Sequence, residues 1–169
     1  MAVSVHAMIA TGKPSPKAAT PERQLEAFIE KFDRKDQRFI RAVRSVMRKR
    51  LPTANELVYD NYNFLVIGYS PTERPSDSIV SIAARANDLG LCFIHGVGLP
   101  DPKKLLLGSG KQTRFIRLES AGRLANPDVE ALLTAAIAQA RNPLPATGRG
   151  RLIIRSVAAK QRPRRRPGT

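Results

Sequence analysis

The chain changes its hydrophobic period twice, and this change constrains the fold more than any other feature. Between residues 25 and 47, and again between 129 and 140, apolar residues recur every three or four positions, as on one face of an α-helix. Between residues 55 and 118 they form short β-favouring runs separated by turn sequences. Helices on both sides of a run of strands predict an α+β domain. Its mainly antiparallel sheet is expected to carry the N- and C-terminal helices on one face.

Local signals predict where these elements begin and end. Thr20-Pro21-Glu22 and Asn126-Pro127-Asp128 each combine a capping side chain, a proline and an acid, so each predicts a helix start. The first helical region is expected to restart or kink at 33 and to end before 52, and the last helix to end at 141. Two hairpins are predicted, the first from strands over 57–59 and 64–69 and the second from strands over 79–86 and 91–94. A further strand is predicted over 114–118. One helical turn is predicted over 101–106, closed by Gly108.

The positive charge is concentrated at the C-terminus. The chain of 169 residues carries a net charge of +15, and its last 28 residues contain eight Lys and Arg and no acid. Such a segment repels itself and is typical of an extended tail. We therefore predict a flexible segment over 1–19, one domain over 20–141 and a basic tail over 142–169. Within this tail, the three aliphatic residues Leu152-Ile153-Ile154 predict a short edge strand near 151–157.

The basic tail also suggests a partner. Its Arg162, Arg164, Arg165 and Arg166 are candidates for contact with nucleic acid. A second basic face is expected on the second helix, formed by Arg34, Arg38, Arg41, Arg44 and Arg48. Aromatic residues make up only 5% of the chain and no nucleic-acid motif is present, so such binding would be weakly selective. The alternative is a basic surface that only keeps the protein in solution.

Several segments resemble the YdhG-like domain family, the domain of unknown function 1801. They are Leu51-Pro52 with Glu56 and Tyr59, the run Gly96-Val97-Gly98-Leu99-Pro100-Asp101-Pro102, and Leu107-Gly108-Ser109-Gly110-Lys111 with Arg114, Ile116 and Arg117. The resemblance covers about residues 21–141. It implies a compact α+β domain, compared with the frataxin arrangement of two helices on an antiparallel sheet. It brings no set of catalytic residues, and it raises iron as a partner because a few relatives are discussed as intracellular iron chaperones.

The glycine-rich run at 108–113 is a candidate site for a small anion. It is not an ATP-binding loop, because Leu105 stands where that motif needs glycine and Gln112 follows the lysine in place of Ser or Thr. Gly108 and Gly110 would let the backbone curl, and Lys111 and Arg114 would supply charge. The alternative is a plain turn in which the glycines serve only the backbone conformation.

The sequence gives weaker support for a catalytic or metal-binding role of the other reactive side chains. His95 could act as a base or ligand if Asp101 oriented it, and Cys92 is expected to be a buried small hydrophobe. A metal such as iron would need several acids to converge. The candidates for that are Glu56, Asp60, Glu73, Asp77 and Asp88.

Together these features predict a non-enzymatic domain with no evident cofactor. A single cysteine is typical of a reducing compartment, and no apolar run approaches the roughly 20 residues that span a bilayer, so we expect a cytoplasmic protein without a membrane partner. We expect residues 96–118 to bind a partner or a small anion. The alternatives are a nucleic-acid-associated protein and an iron-binding chaperone of the frataxin-like type.

Overall fold

The computed structural model describes residues 19–168. The flexible segment predicted for 1–19, with His6, lies outside this range except for residue 19. The described residues form three α-helices and six strands: α1 (Pro21–Ile29), α2 (Arg34–Arg50), β1 (Asn55–Asp60), β2 (Leu65–Ser70), β3 (Val80–Arg85), β4 (Asp88–Phe93), β5 (Arg114–Arg117), α3 (Pro127–Ala138) and β6 (Leu152–Val157). Within residues 19–168, no helix has both the length and the hydropathy needed to span a bilayer.

The six strands form one sheet in the order β5-β4-β3-β2-β1-β6. Neighbours from β1 to β5 are antiparallel, and β6 pairs parallel with β1, with a register shift between Val58 and Tyr59. The predicted α+β class with a mainly antiparallel sheet is therefore confirmed. A strand also lies where the sequence predicted an edge strand near 151–157.

One face of the sheet forms the core with the helices. Because side chains alternate across a strand, every second residue shares a face, and the register aligns one such row across five strands. The row is Val58, Ile67, Ile82, Leu91 and Ile116. These residues belong to one buried cluster with the apolar stripes of the three helices, represented by Ile29, Val43 and Leu132.

Two helix starts follow the predicted capping chemistry. The Thr20 hydroxyl accepts the Arg23 N–H at 3.3 Å, and the Asn126 side chain accepts the Asp128 N–H at 2.9 Å. Each cap satisfies one of the backbone amides that a helix leaves free at its first turn.

The helical turn predicted over 101–106 is wrong. The Asp101 carboxylate accepts the N–H groups of Leu105 at 2.8 Å and Leu106 at 2.9 Å, and Lys104 adopts a left-handed φ of 54°. A residue in that conformation ends a right-handed helix. The carboxylate therefore closes a wider loop, and Leu107 then pairs with Phe115 of β5. The last helix also ends earlier than predicted, at Ala138 instead of 141.

The basic C-terminal segment does not extend away from the domain in this structure. Gly150 donates its N–H to Pro52 O at 3.1 Å and lies so close to β1 that an added Cβ would stand 1.6 Å from Ala54 O. After β6, Arg164 is only 4% exposed and forms an ion pair with Asp60. Residues 150–164 thus contact the domain at both ends, through the backbone of Gly150 and through the ion pair of Arg164 with the buried carboxylate of Asp60.

Candidate functional site

A cleft of about 710 Å³ lies where the loop before β3, the loop between β4 and β5, and the end of α3 meet. We call it the Lys111 cleft. Its charged and polar walls include Arg74, Asp77, His95, Lys111, Gln139 and Arg141. Its volume is within the range of small-molecule sites, which are usually about 300–1,000 Å³.

Specific contacts hold the walls of the Lys111 cleft together. The Gln139 side chain donates to His95 O at 3.0 Å, which ties the end of α3 to the loop after β4. Val97 donates its N–H to Gln112 O at 3.1 Å, across the loop between β4 and β5. Gly96 is needed there, since an added Cβ would stand 2.6 Å from the Cβ of Arg114.

The Lys111 cleft carries an excess of positive charge. Arg74, Lys111 and Arg141 are exposed, and none of them forms an ion pair within residues 19–168. The pKa of Asp77 is lowered, first by a hydrogen bond from the Thr72 hydroxyl at 2.7 Å and also by the charges of Arg74 and Arg141. The cleft thus holds three cations and one carboxylate whose pKa is lowered.

The four residues predicted for an anion site have different contacts in the structure. Lys111 lines the cleft, but the Arg114 guanidinium donates to Gly110 O at 2.5 Å and Thr113 O at 2.9 Å and so closes its own loop. Gly108 has a φ of +117°, a conformation that favours glycine, and its loop joins Leu107 to Phe115.

Two cations of the cleft were missed by sequence reasoning. Arg74 and Arg141 are 67 positions apart in the chain, and no local pattern relates either of them to Lys111.

The structure separates the reactive side chains considered above. His95 is exposed on the cleft, whereas the carboxylate of Asp101 is engaged with the amides of Leu105 and Leu106, so it does not orient His95. Burial raises the pKa of the Cys92 thiol, which keeps it protonated and weakly nucleophilic.

A second cleft, of about 600 Å³, lies between α1, α2 and β1 and has an ionic floor. We call it the Arg44 cleft. Arg44 donates to the two oxygens of Glu56 at 2.9 and 2.8 Å and to those of Glu22 at 3.1 and 2.9 Å. The Tyr69 hydroxyl donates to Glu56 at 3.1 Å. Arg44 and Glu56 are both buried, whereas Glu22 is about half exposed.

The pKa shifts in the Arg44 cleft follow from these contacts. The hydrogen bond from Arg44 lowers the pKa of Glu22. Burial raises the pKa of Tyr69, and the negative charge of Glu56 adds to this effect. Burial opposes the charge of Arg44, but its hydrogen bonds to Glu56 and Glu22 outweigh that penalty and raise its pKa. These shifts keep Arg44 and Glu22 charged and Tyr69 neutral, which is typical of a structural ion-pair network.

The acids proposed for iron have other partners. Among the described residues, no three His, Cys, Asp or Glu side chains converge as metal ligands would. Asp60 lies between Lys31 at 2.6 Å and Arg164 at 2.9 Å. The remaining pairs are Glu56 with Arg44, Glu73 with Arg151, Asp77 with the Thr72 hydroxyl, and Asp88 with Arg85.

The arginines suggested for nucleic-acid contact differ in exposure. Arg162, Arg165 and Arg166 are exposed, whereas Arg164 is buried against Asp60 and its guanidinium does not face outward. On α2, Arg34 and Arg38 are exposed with no ion pair among residues 19–168, while three others bind glutamates. These three are Arg41, Arg44 and Arg48.

Comparisons with protein-family models, with curated proteins and with solved structures find no match to this chain. The resemblance to the YdhG-like family therefore stays a prediction.

Proposed function

We infer that this protein is a non-enzymatic domain that binds a small anion, such as a phosphorylated metabolite, in the Lys111 cleft. The observation that carries this proposal is that Arg74, Lys111 and Arg141 line one cleft, in which Asp77 is the only carboxylate among the described lining residues. Within residues 19–168 these cations form no ion pair, and such cations at the wall of a concave site are suited to an anionic ligand.

The geometry supports binding more than catalysis. A catalytic histidine is usually oriented by a hydrogen-bonded carboxylate, and the nearest candidate in sequence, Asp101, is occupied by backbone amides. His95 lines the cleft and can instead donate a ring N–H to a bound anion.

We keep the YdhG-like assignment, with its frataxin-like arrangement, as part of the proposal. It is supported by the position of the resembling run at 96–118, which contributes Val97, Gly98, Lys111 and Gln112 to the cleft wall. Iron binding has less support, because each of the acids considered for it already has a cation or a hydroxyl as partner.

Calorimetry with inorganic phosphate and pyrophosphate tests the proposed function. Lys111→Gln and Arg141→Gln should each weaken binding by about 10- to 150-fold, since a charge-assisted hydrogen bond contributes about 1.5–3 kcal/mol. Lys103→Gln is the matched control, because Lys103 is exposed and does not line the cleft. The proposal fails if neither anion binds, or if the control weakens binding as much as the two cleft variants.

A further inference from the structure

Backbone hydrogen bonds fix the course of the chain after β6. Ala158 donates its N–H to Asp60 O at 2.8 Å, and Arg162 donates its N–H to Tyr62 O at 2.8 Å. Both acceptors lie at the end of β1 or in the turn that follows it. Residues 158–162 therefore run along the β1–β2 turn.

Arg164 and Arg165 attach the next part of the segment. The Arg164 guanidinium donates to Asp60 Oδ1 at 2.9 Å and to Asn61 O at 2.6 Å. Arg165 donates to Glu30 O at 3.2 Å and Lys31 O at 3.3 Å, the carbonyls at the C-terminal end of α1. Cationic side chains are favoured at that end of a helix.

The segment held by these attachments carries four exposed cations. Lys160, Arg162, Arg165 and Arg166 are exposed, and none forms an ion pair within residues 19–168. The Tyr62 side chain is 50% exposed and has the Arg162 guanidinium 5.6 Å from its ring centre. We call these five residues the C-terminal basic surface.

We propose that the C-terminal basic surface binds single-stranded nucleic acid. Its four cations can pair with backbone phosphates, while the ring of Tyr62 and the guanidinium of Arg162 offer a base a flat surface for stacking. The attachments through Arg164 and Arg165 reduce the entropy lost on binding, since the segment is already ordered.

The exposed ring favours a single strand over other polyanions. In a duplex the base faces are stacked on one another, so Tyr62 would contribute nothing to its binding. An anionic membrane would meet the same cations but presents no planar group to the ring. The contribution of Tyr62 therefore distinguishes a single strand from a duplex and from a membrane.

The first experiment measures fluorescence anisotropy of a labelled oligothymidylate against salt, with the full chain. On a single strand each phosphate contact adds about 0.7 to the slope of log K against log salt. The variant R162Q/R165Q/R166Q should reduce that slope by about 2 units. R162Q/R166Q should reduce it by about 1.4 units while leaving the contacts of Arg165 with α1 in place.

A charge-matched variant is the control. K103Q/K104Q/R117Q removes three exposed cations at and near β5, the sheet edge opposite β6, and should leave the slope nearly unchanged. The proposal is overturned if the wild-type chain does not bind the oligonucleotide, or if the control reduces the slope as much as the variant of the basic surface.

The second experiment isolates the ring. Tyr62→Leu should weaken oligothymidylate binding about fivefold or more without changing the salt slope, because stacking is not electrostatic. Binding to duplex DNA and to vesicles containing phosphatidylserine should not respond to Tyr62→Leu. Equal losses for the single strand and the duplex, or unchanged oligothymidylate binding, would contradict the proposal.

Discussion

The buried pair of Arg44 and Glu56 shows how single residues organise this fold. Both side chains are less than one tenth exposed, and Tyr69 adds a third hydrogen-bonding group at the same point. Taking two charges out of water is costly, so such a pair is tolerated only when each partner is fully hydrogen-bonded. The bidentate contact between Arg44 and Glu56, with the further hydrogen bonds of Arg44 to Glu22 and of Tyr69 to Glu56, satisfies these groups. It joins the middle of α2 to the start of β1.

We expect Arg44→Met to lower the free energy of unfolding by about 3–5 kcal/mol, because it leaves the buried Glu56 carboxylate without its cation. Urea unfolding followed by circular dichroism measures the change. Arg38→Met is the matched control, since Arg38 is on the same helix but exposed and without an ion pair among the described residues, and should change stability by less than about 0.5 kcal/mol. Equal effects of the two substitutions would show that the network does not stabilise the fold.

At the scale of elements, β6 and the segment after it complete the domain. β6 covers the edge of β1, which would otherwise expose unpaired backbone groups. Arg164 reaches Asp60, a carboxylate with no solvent exposure. A segment that looks like a tail by composition thus has one strand and one buried ionic contact.

Removal of residues 142–169 should therefore destabilise the rest. It exposes β1 and leaves the buried Asp60 with only Lys31, so we expect the melting temperature to fall by about 10 °C or more. Thermal unfolding followed by circular dichroism checks this. A chain that ends at residue 166 is the control. It should melt like the full chain, because β6 and the ion pair between Arg164 and Asp60 remain. If the chain of residues 1–141 melts at the same temperature as the full chain, the C-terminal segment is an appendage.

At the scale of the whole molecule, the dominant quantity is the net charge of +15. Many acids are paired with nearby cations, so the excess is carried by exposed Lys and Arg such as Lys111, Arg141 and Arg162. Like charges on one compact body repel each other and lower its stability.

Added salt should therefore stabilise the protein. We expect the melting temperature to rise by about 2–5 °C between about 20 and 200 mM sodium chloride, since screening reduces the repulsion and exposed ion pairs contribute little. Lys111→Gln should show nearly the same rise, which would separate screening from binding of chloride in the Lys111 cleft. A melting temperature that falls with salt would mean that the ion pairs outweigh the repulsion.

Part of the candidate sites was predictable from sequence and part was not. The glycine-rich surroundings of Lys111 indicate it as a candidate, and the clustering of the terminal arginines indicates them. The engagement of Arg114 with Gly110 O and the burial of Arg164 were not predictable, since nothing local distinguishes these arginines from their neighbours.

The sequence alone determined the kinds of element and their order. Capping residues and hydrophobic periods act within a few positions, so the starts of α1 and α3 and the hairpins of the sheet are local properties. Only the tertiary structure decided which charges meet. Asp60 and Arg164 are 104 positions apart, and Arg74, Lys111 and Arg141 come from three separate segments. Such encounters depend on how the helices and strands pack, and no short stretch of the chain encodes that packing by itself.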